Sequence, residues 1–117
     1  ISRIFQWFDL VTGIEPQAAN SGTRITAYHL EKNYPNPFNS QTVINYRLPA
    51  SSQVLLEVYN ILGQKIKTLV DQQQAAGSYL ISWDSCDQNG AEVTSGVYFY
   101  RIQAGSFTTI RKMLLVK

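Results

Sequence analysis

The chain has 117 residues, 44% of them hydrophobic and 15% charged, a composition that fits one globular domain with an ordered core. A net charge of +2, with basic residues scattered apart from a modest cluster near the end, excludes a nucleic-acid footprint. No apolar run approaches the roughly 20 residues that span a bilayer, so no transmembrane segment is expected.

Residues 1–10 are rich in aromatic and strand-forming side chains, with Ile4, Phe5, Trp7 and Phe8 supplying apolar groups on both faces. The sequence starts at Ile1 rather than Met, so it reads as a processed or excised piece of a longer chain. Residues 11–22 carry Gly13, Pro16 and Gly22 with little apolar content after Ile14, the pattern of a flexible connection. Residues 24–30 alternate Ile25, Ala27 and His29 against Thr26, Tyr28 and Leu30, which predicts a strand. The stretch Asn33, Tyr34, Pro35, Asn36, Pro37, Phe38, Asn39 then sets a boundary. Two prolines fix φ and remove two backbone donors, so neither helix nor paired strand is expected through it, and Tyr34 and Phe38 are expected to pin the segment onto the domain C-terminal to it.

Beyond the prolines, Thr42, Ile44, Tyr46 and Leu48 share one face of a strand while Asn45 and Arg47 point away. Residues 49–52 turn the chain, and Val54, Leu56 and Val58 line the next strand with Glu57 opposed. Residues 60–63 form a turn in which Gly63 supplies a positive φ, leading into a strand over 64–70. Residues 71–77 are polar and end in Ala-Ala-Gly77, after which Tyr79, Ile81 and Trp83 alternate with Ser78, Leu80 and Ser82; Trp83 is the strongest core candidate. A long turn region over 84–96, with Asp87, Asn89-Gly90 and Ser95-Gly96, precedes a strand that puts Tyr98, Tyr100 and Ile102 inward and Arg101 in solvent. Residues 104–106 turn again and residues 107–116 close the domain. With no helical periodicity, this spacing argues for an all-β, antiparallel immunoglobulin- or fibronectin-like sandwich of about seven strands behind an extended leader.

Chemistry is sparse. The one histidine, His29, and the one cysteine, Cys86, lie in different segments, which is no basis for a nucleophile with its base. Cys86 alone forms no internal disulfide, so the redox compartment stays open. Glu57, Asp84 and Glu92 read as surface carboxylates rather than a hydrolytic pair. Ser85, Asp87 and Asn89 ahead of Gly90 echo the oxygen-ligand spacing of a calcium loop, with Asp84, Asp87 and Asn89 as candidate ligands, but the closing bidentate Glu is missing and these are ordinary turn residues. Neither catalytic residues, metal nor cofactor are expected.

Residues 30–117 resemble the C-terminal sorting domain, type A, of proteins exported by the type IX secretion system. The resemblance rests on Pro35-Asn36-Pro37-Phe38, on Val58-Tyr59-Asn60-Ile61-Leu62-Gly63, on Ala76-Gly77 followed by Trp83-Asp84, on Gly96-Val97-Tyr98-Phe99-Tyr100-Arg101, and on the ending from Arg111 to Lys117. Each motif alone is common, but together and in the family's order they are specific. The immunoglobulin-like module of flagellar hook-capping proteins is similar at the Trp-Asp turn and the Gly-Val-Tyr strand. Ser40 stands where the family often has proline, and Ser85-Cys86 where a glycine-containing turn is usual. The resemblance implies a non-catalytic β-sandwich at the C-terminus of a larger secreted protein, carried through the periplasm, read by the outer-membrane translocon and removed by a sortase-like protease. Residues 1–29 would then be the cargo's tail and linker. The last strand, with Arg111, Lys112 and Lys117, is the expected recognition surface, against the alternative that these cations only guard an edge from aggregation. A second reading is a self-assembling subunit in which Ile4, Phe5, Trp7 and Phe8 donate a strand to a neighbour and build a fibre.

Overall fold

Side-chain alternation sorts this chain into two faces, and the faces define two sheets. The computed structural model describes residues 25–117, and these contain seven strands and no helix. They are β1 (His29–Leu30), β2 (Thr42–Leu48), β3 (Ser52–Asn60), β4 (Lys65–Gln74), β5 (Gly77–Trp83), β6 (Gly96–Ala104) and β7 (Phe107–Leu115). One sheet has the order β1-β2-β5 and the other β4-β3-β6-β7, with every neighbouring pair antiparallel. The immunoglobulin-like sandwich expected from the strand spacing is the architecture found.

Thr42, Ile44, Tyr46 and Leu48 of β2 are buried against Val54, Leu56 and Val58 of β3 and Tyr98, Tyr100, Ile102 and Ala104 of β6. Trp83 is fully buried at the end of β5. Its ring lies 5.8 Å from Phe38, tilted by 59°, and 5.5 Å edge-on from Tyr98. The indole N–H donates to Cys86 O at 2.9 Å, so the one polar atom of this side chain is satisfied.

The proline segment corrects the sequence reading. Pro35 and Pro37 lack donors, but their neighbours do not, and Tyr34 exchanges two backbone hydrogen bonds with Val43 of β2, each 2.9 Å. Further on, Phe38 N–H donates to Leu114 O at 3.0 Å and Val116 N–H donates to Phe38 O at 2.8 Å, a parallel bridge to β7. The segment thus pairs with both sheets in turn and laces one side of the sandwich shut, with cis peptides at Tyr34-Pro35 and Asn36-Pro37. Phe38 is the pin, whereas the Tyr34 ring is 79% exposed and pins nothing. Asn33, also buried, donates to Thr42 Oγ1 at 3.0 Å and to Pro35 O at 3.2 Å. Tyr100 adds a hydroxyl bond to Glu31 O at 2.7 Å, and burial pushes its pKa up to about 12, so the donor stays protonated.

Two strand limits differ from those predicted. β1 holds only His29 and Leu30 of the expected 24–30, because pairing with β2 is limited to Arg47 and Tyr46. Tyr28 instead stacks on Phe107 at 5.3 Å and bonds Ser52 Oγ at 2.9 Å. β4 runs on through the polar residues Asp71 to Gln74, past the limit predicted at residue 70. There the β3 ladder continues to Ser52 opposite Gln74, and Gln74 Oε1 accepts from the Tyr46 hydroxyl across the sandwich. Backbone pairing and one half-buried acceptor outweigh the absence of apolar side chains.

Trp83→Ala and Phe38→Ala should each destabilise the domain by about 3–5 kcal/mol in urea unfolding, as large buried rings do. Tyr34→Ala should change it by less than about 0.5 kcal/mol. A near-neutral Phe38→Ala would show that the closure does not depend on this ring.

Candidate functional site

β7 is the last strand of the four-stranded sheet, so one of its edges has no strand beside it among the described residues. Leu114 donates to Asn36 Oδ1 at 3.1 Å and accepts from Phe38, which marks its backbone groups as edge-facing. By alternation, the backbone groups of Lys112, Ile110 and Thr108 face the same way. The proline segment covers the C-terminal half of this edge and leaves these three outside it.

The three basic candidates of the last strand separate here. Arg111 points towards the sandwich interior, and its Nε donates to Leu30 O at 2.7 Å, joining β7 to β1. Lys117 is held by its Nζ on Glu92 at 3.1 Å and by its N–H on Ser95 Oγ at 2.9 Å. Lys112 is exposed on the outer face beside Ile110 and Leu114, opposite Phe99 of β6.

The other motif residues serve the frame. Gly63, at φ 81, closes the β3–β4 hairpin; Gly77 and Gly96 open β5 and β6, and Gly90 sits at φ 86 in the turn before β6. In that turn Asp84 Oδ1 accepts from Cys86 N, while Asp87 Oδ1 accepts from Asn89 N and Ala91 N at 2.9 and 3.0 Å. One oxygen of each candidate carboxylate thus accepts backbone donors of its own turn. Among the described residues, no group of three or more His, Cys, Asp or Glu side chains comes together to hold a metal. Ser85 takes a left-handed φ of 65° and is buried, with its hydroxyl donating to Ser40 O at 2.8 Å. Partial burial, with the Asp84 and Glu92 carboxylates nearby, pushes the Cys86 thiol up and away from a reactive thiolate. His29 Nε2 lies 3.2 Å from Glu31 Oε2 in another part of the fold. Ile4, Phe5, Trp7 and Phe8 fall outside the described residues.

One cluster escaped the sequence reading. Glu57 faces outward as predicted, yet its carboxylate is only 7% exposed. The Tyr59 hydroxyl donates to it at 2.6 Å, Lys65 Nζ lies 3.3 Å away, and Arg101, its cross-strand partner, lies 3.4 Å away. Arg101 also donates to the Tyr59 hydroxyl at 2.9 Å and stacks 5.2 Å over the Tyr59 ring, so it lies along the sheet rather than free in solvent. The sequence signal was present in Glu57 and Tyr59 two residues apart on one face, but naming Arg101 and Lys65 as partners requires the strand register. Burial pushes the Glu57 carboxyl up, and the Tyr59, Lys65 and Arg101 contacts outweigh it and hold it below its ordinary value.

A family model for the secretion system C-terminal sorting domain matches residues 32–117. A comparison with curated proteins finds no significant match. Among solved structures, 11 chains match significantly. Dimeric latent PorU from Porphyromonas gingivalis superposes with a TM-score of 0.60 at 22% identity, over 79% of this chain and 10% of that one. FlgD from P. aeruginosa superposes with a TM-score of 0.51 at 29% identity, over 63% of this chain and 60% of that one. The PorU likeness is one of fold, and this chain spans about a tenth of the PorU chain.

The Glu57 cluster sets a pH dependence. A carboxyl held below its ordinary value of 4.5 stabilises the fold above that pH and loses this contribution as pH falls through the folded value. Glu31, lowered by its bond to His29 against the cost of burial and further by Arg47, acts in the same direction. Urea unfolding from neutral pH downward should therefore show stability falling below about pH 4.5, and Glu57→Gln should flatten that fall. An unchanged acid slope in Glu57→Gln would remove the cluster as its source.

Proposed function

The chain belongs to the secretion system C-terminal sorting domain family, and we propose that the export machinery reads it through the exposed edge of β7. It is a secretion signal domain of the type IX system, and the protein that carries it is exported to the cell surface or the medium. The reading further assigns its partners as the outer-membrane translocon and a sortase-like protease, with residues 1–29 as the connection to the cargo. The domain itself is assigned no chemistry: its carboxylates, histidine and thiol are held in structural contacts.

The observation that carries the edge proposal is the outward main chain at Thr108, Ile110 and Lys112, beside strand-terminal positions already occupied by Asn36 and Phe38. An unpaired edge offers donors and acceptors to an extended segment, which supplies affinity through main-chain bonds and specificity through alternate side chains. Lys112, exposed and alone of the three without a side-chain partner among the described residues, supplies charge at the same place, while Arg111 and Lys117 secure the strand. A lysine on an edge also discourages pairing with wrong partners, so protection and recognition are compatible.

The test fuses the full chain behind a periplasmic reporter in a type IX-competent cell. The fusion should reach the surface, and Ile110→Pro, which removes an outward N–H without touching the β6 ladder, should retain it in the periplasm. Lys112→Glu should lower surface display in the same assay. Normal export of a folded Ile110→Pro protein, judged by circular dichroism, would rule out edge pairing.

A further inference from the structure

The β3–β4 hairpin places Ile61 and Leu62 at its tip, 68% and 77% exposed. Neither belongs to the hydrophobic core or packs against it. Turn geometry does not ask for them either, since Asn60 and Gly63 supply what the turn needs. Asn60 Oδ1 accepts from Leu62 N at 2.9 Å and from Gln64 N at 3.0 Å, its Nδ2 donates to Gln64 Oε1 at 2.8 Å, and Gly63 N–H donates to Asn60 O at 3.0 Å. Two large aliphatic side chains therefore stand in water on a loop that is already rigid.

We propose that this tip is a second recognition element, an apolar knob that seats in a hydrophobic cleft of a protein receptor in the export machinery. The proposal rests on the export reading and names a further contact for it. A tip fixed by its own hydrogen bonds loses little conformational freedom on docking, so burial of the two side chains appears nearly undiminished as affinity. Charge selects the occupant. The cations nearest the tip in sequence are already matched, Lys65 by Glu57 at 3.3 Å and Lys67 by Asp84 at 3.9 Å, which leaves Lys112 as a single unpaired cation on this sheet face among the described residues rather than a basic rim. An anionic lipid surface needs such a rim, and an uncharged protein cleft does not. The position also continues the β7 surface. Tyr59 lies opposite Phe99, and Phe99 opposite Lys112, so the base of the hairpin and the free edge stand two strand spacings apart, about 10 Å, on one sheet face.

The experiment uses the full chain behind the periplasmic reporter, as wild type, Ile61→Ser/Leu62→Ser, and Ile61→Val/Leu62→Ile. Surface display of the serine variant should fall by about tenfold or more, while the aliphatic variant should stay within about twofold of wild type. The purified serine variant should melt within about 2 °C of wild type, because both positions are exposed. If it melts lower, Leu62→Asn, which puts a turn-forming residue at the tip, carries the same expectation. Wild-type export of the folded serine variant would overturn the proposal while leaving the export reading intact. Retention of the unmodified fusion would overturn both. Co-sedimentation with phosphatidylethanolamine–phosphatidylglycerol vesicles should be absent, and binding that the serine variant loses would assign the tip to lipid and overturn the protein cleft.

Discussion

Phe38 is held from three sides at once, by the Trp83 ring, by Leu114 O and by the N–H of Val116. This links the first segment of the domain to its last strand. Because Tyr34 at the other end of the same short segment is paired with β2, the link also joins the two sheets. The closure is long-range: it waits for residues near 115 to meet residues near 36, so local strand formation does not by itself complete the fold. A chain lacking β7 would leave Phe38, Trp83 and Tyr98 without a wall. The family match, which spans residues 32–117, coincides with this closed unit from its lacing segment to the strand it laces.

Much of this was legible in the sequence, because most strands have one buried face and period-two alternation reports that face directly. The inward sets on β2, β3 and β6 and the placing of Trp83 all came from alternation. The same rule failed where burial did not decide the structure. Residues 71–74 of β4 carry no apolar signal, and they pair because β3 presents a continuous ladder and Tyr46 reaches Gln74. Tyr34 looked like an anchor by size, yet the anchor there is its backbone. Glu57 was placed on the correct face, but its near-complete burial depends on Tyr59, Arg101 and Lys65 meeting across three strands, and periodicity along one strand does not encode register between strands.

The candidate surface was legible only in part. Proximity to the C-terminus and positive charge picked Arg111, Lys112 and Lys117 together, and nothing in the sequence separates them. The structure separates them by direction. Arg111 follows the inward alternation with Met113 and Leu115 and spends its guanidinium on Leu30 O, whereas Lys112 follows Ile110 and Leu114 outward. Other charges are matched within the fold: the exposed Asp84 and the half-buried Asp87 accept backbone donors, and Glu57 is buried among its neighbours. The domain therefore offers a receptor few free charges, and shape, main chain and apolar contact must supply most of the discrimination.

That balance bears on how a label of this kind is read. Half of the β7 edge is occupied by Asn36 and Phe38, and among the described residues the remainder leaves the main chain of three residues without a partner strand, too short an edge to nucleate strand aggregation and too short to bind tightly through main-chain bonds alone. Weak edge pairing suits a label that must be engaged and then released. Selectivity then requires a second contact held rigidly to the first, because two modest contacts on one body act at high effective concentration and exceed either alone. A sandwich closed by its own terminal strand provides that rigidity, fixing the β7 edge and the hairpin tip in one frame, so a receptor that engages both also verifies that the domain is folded.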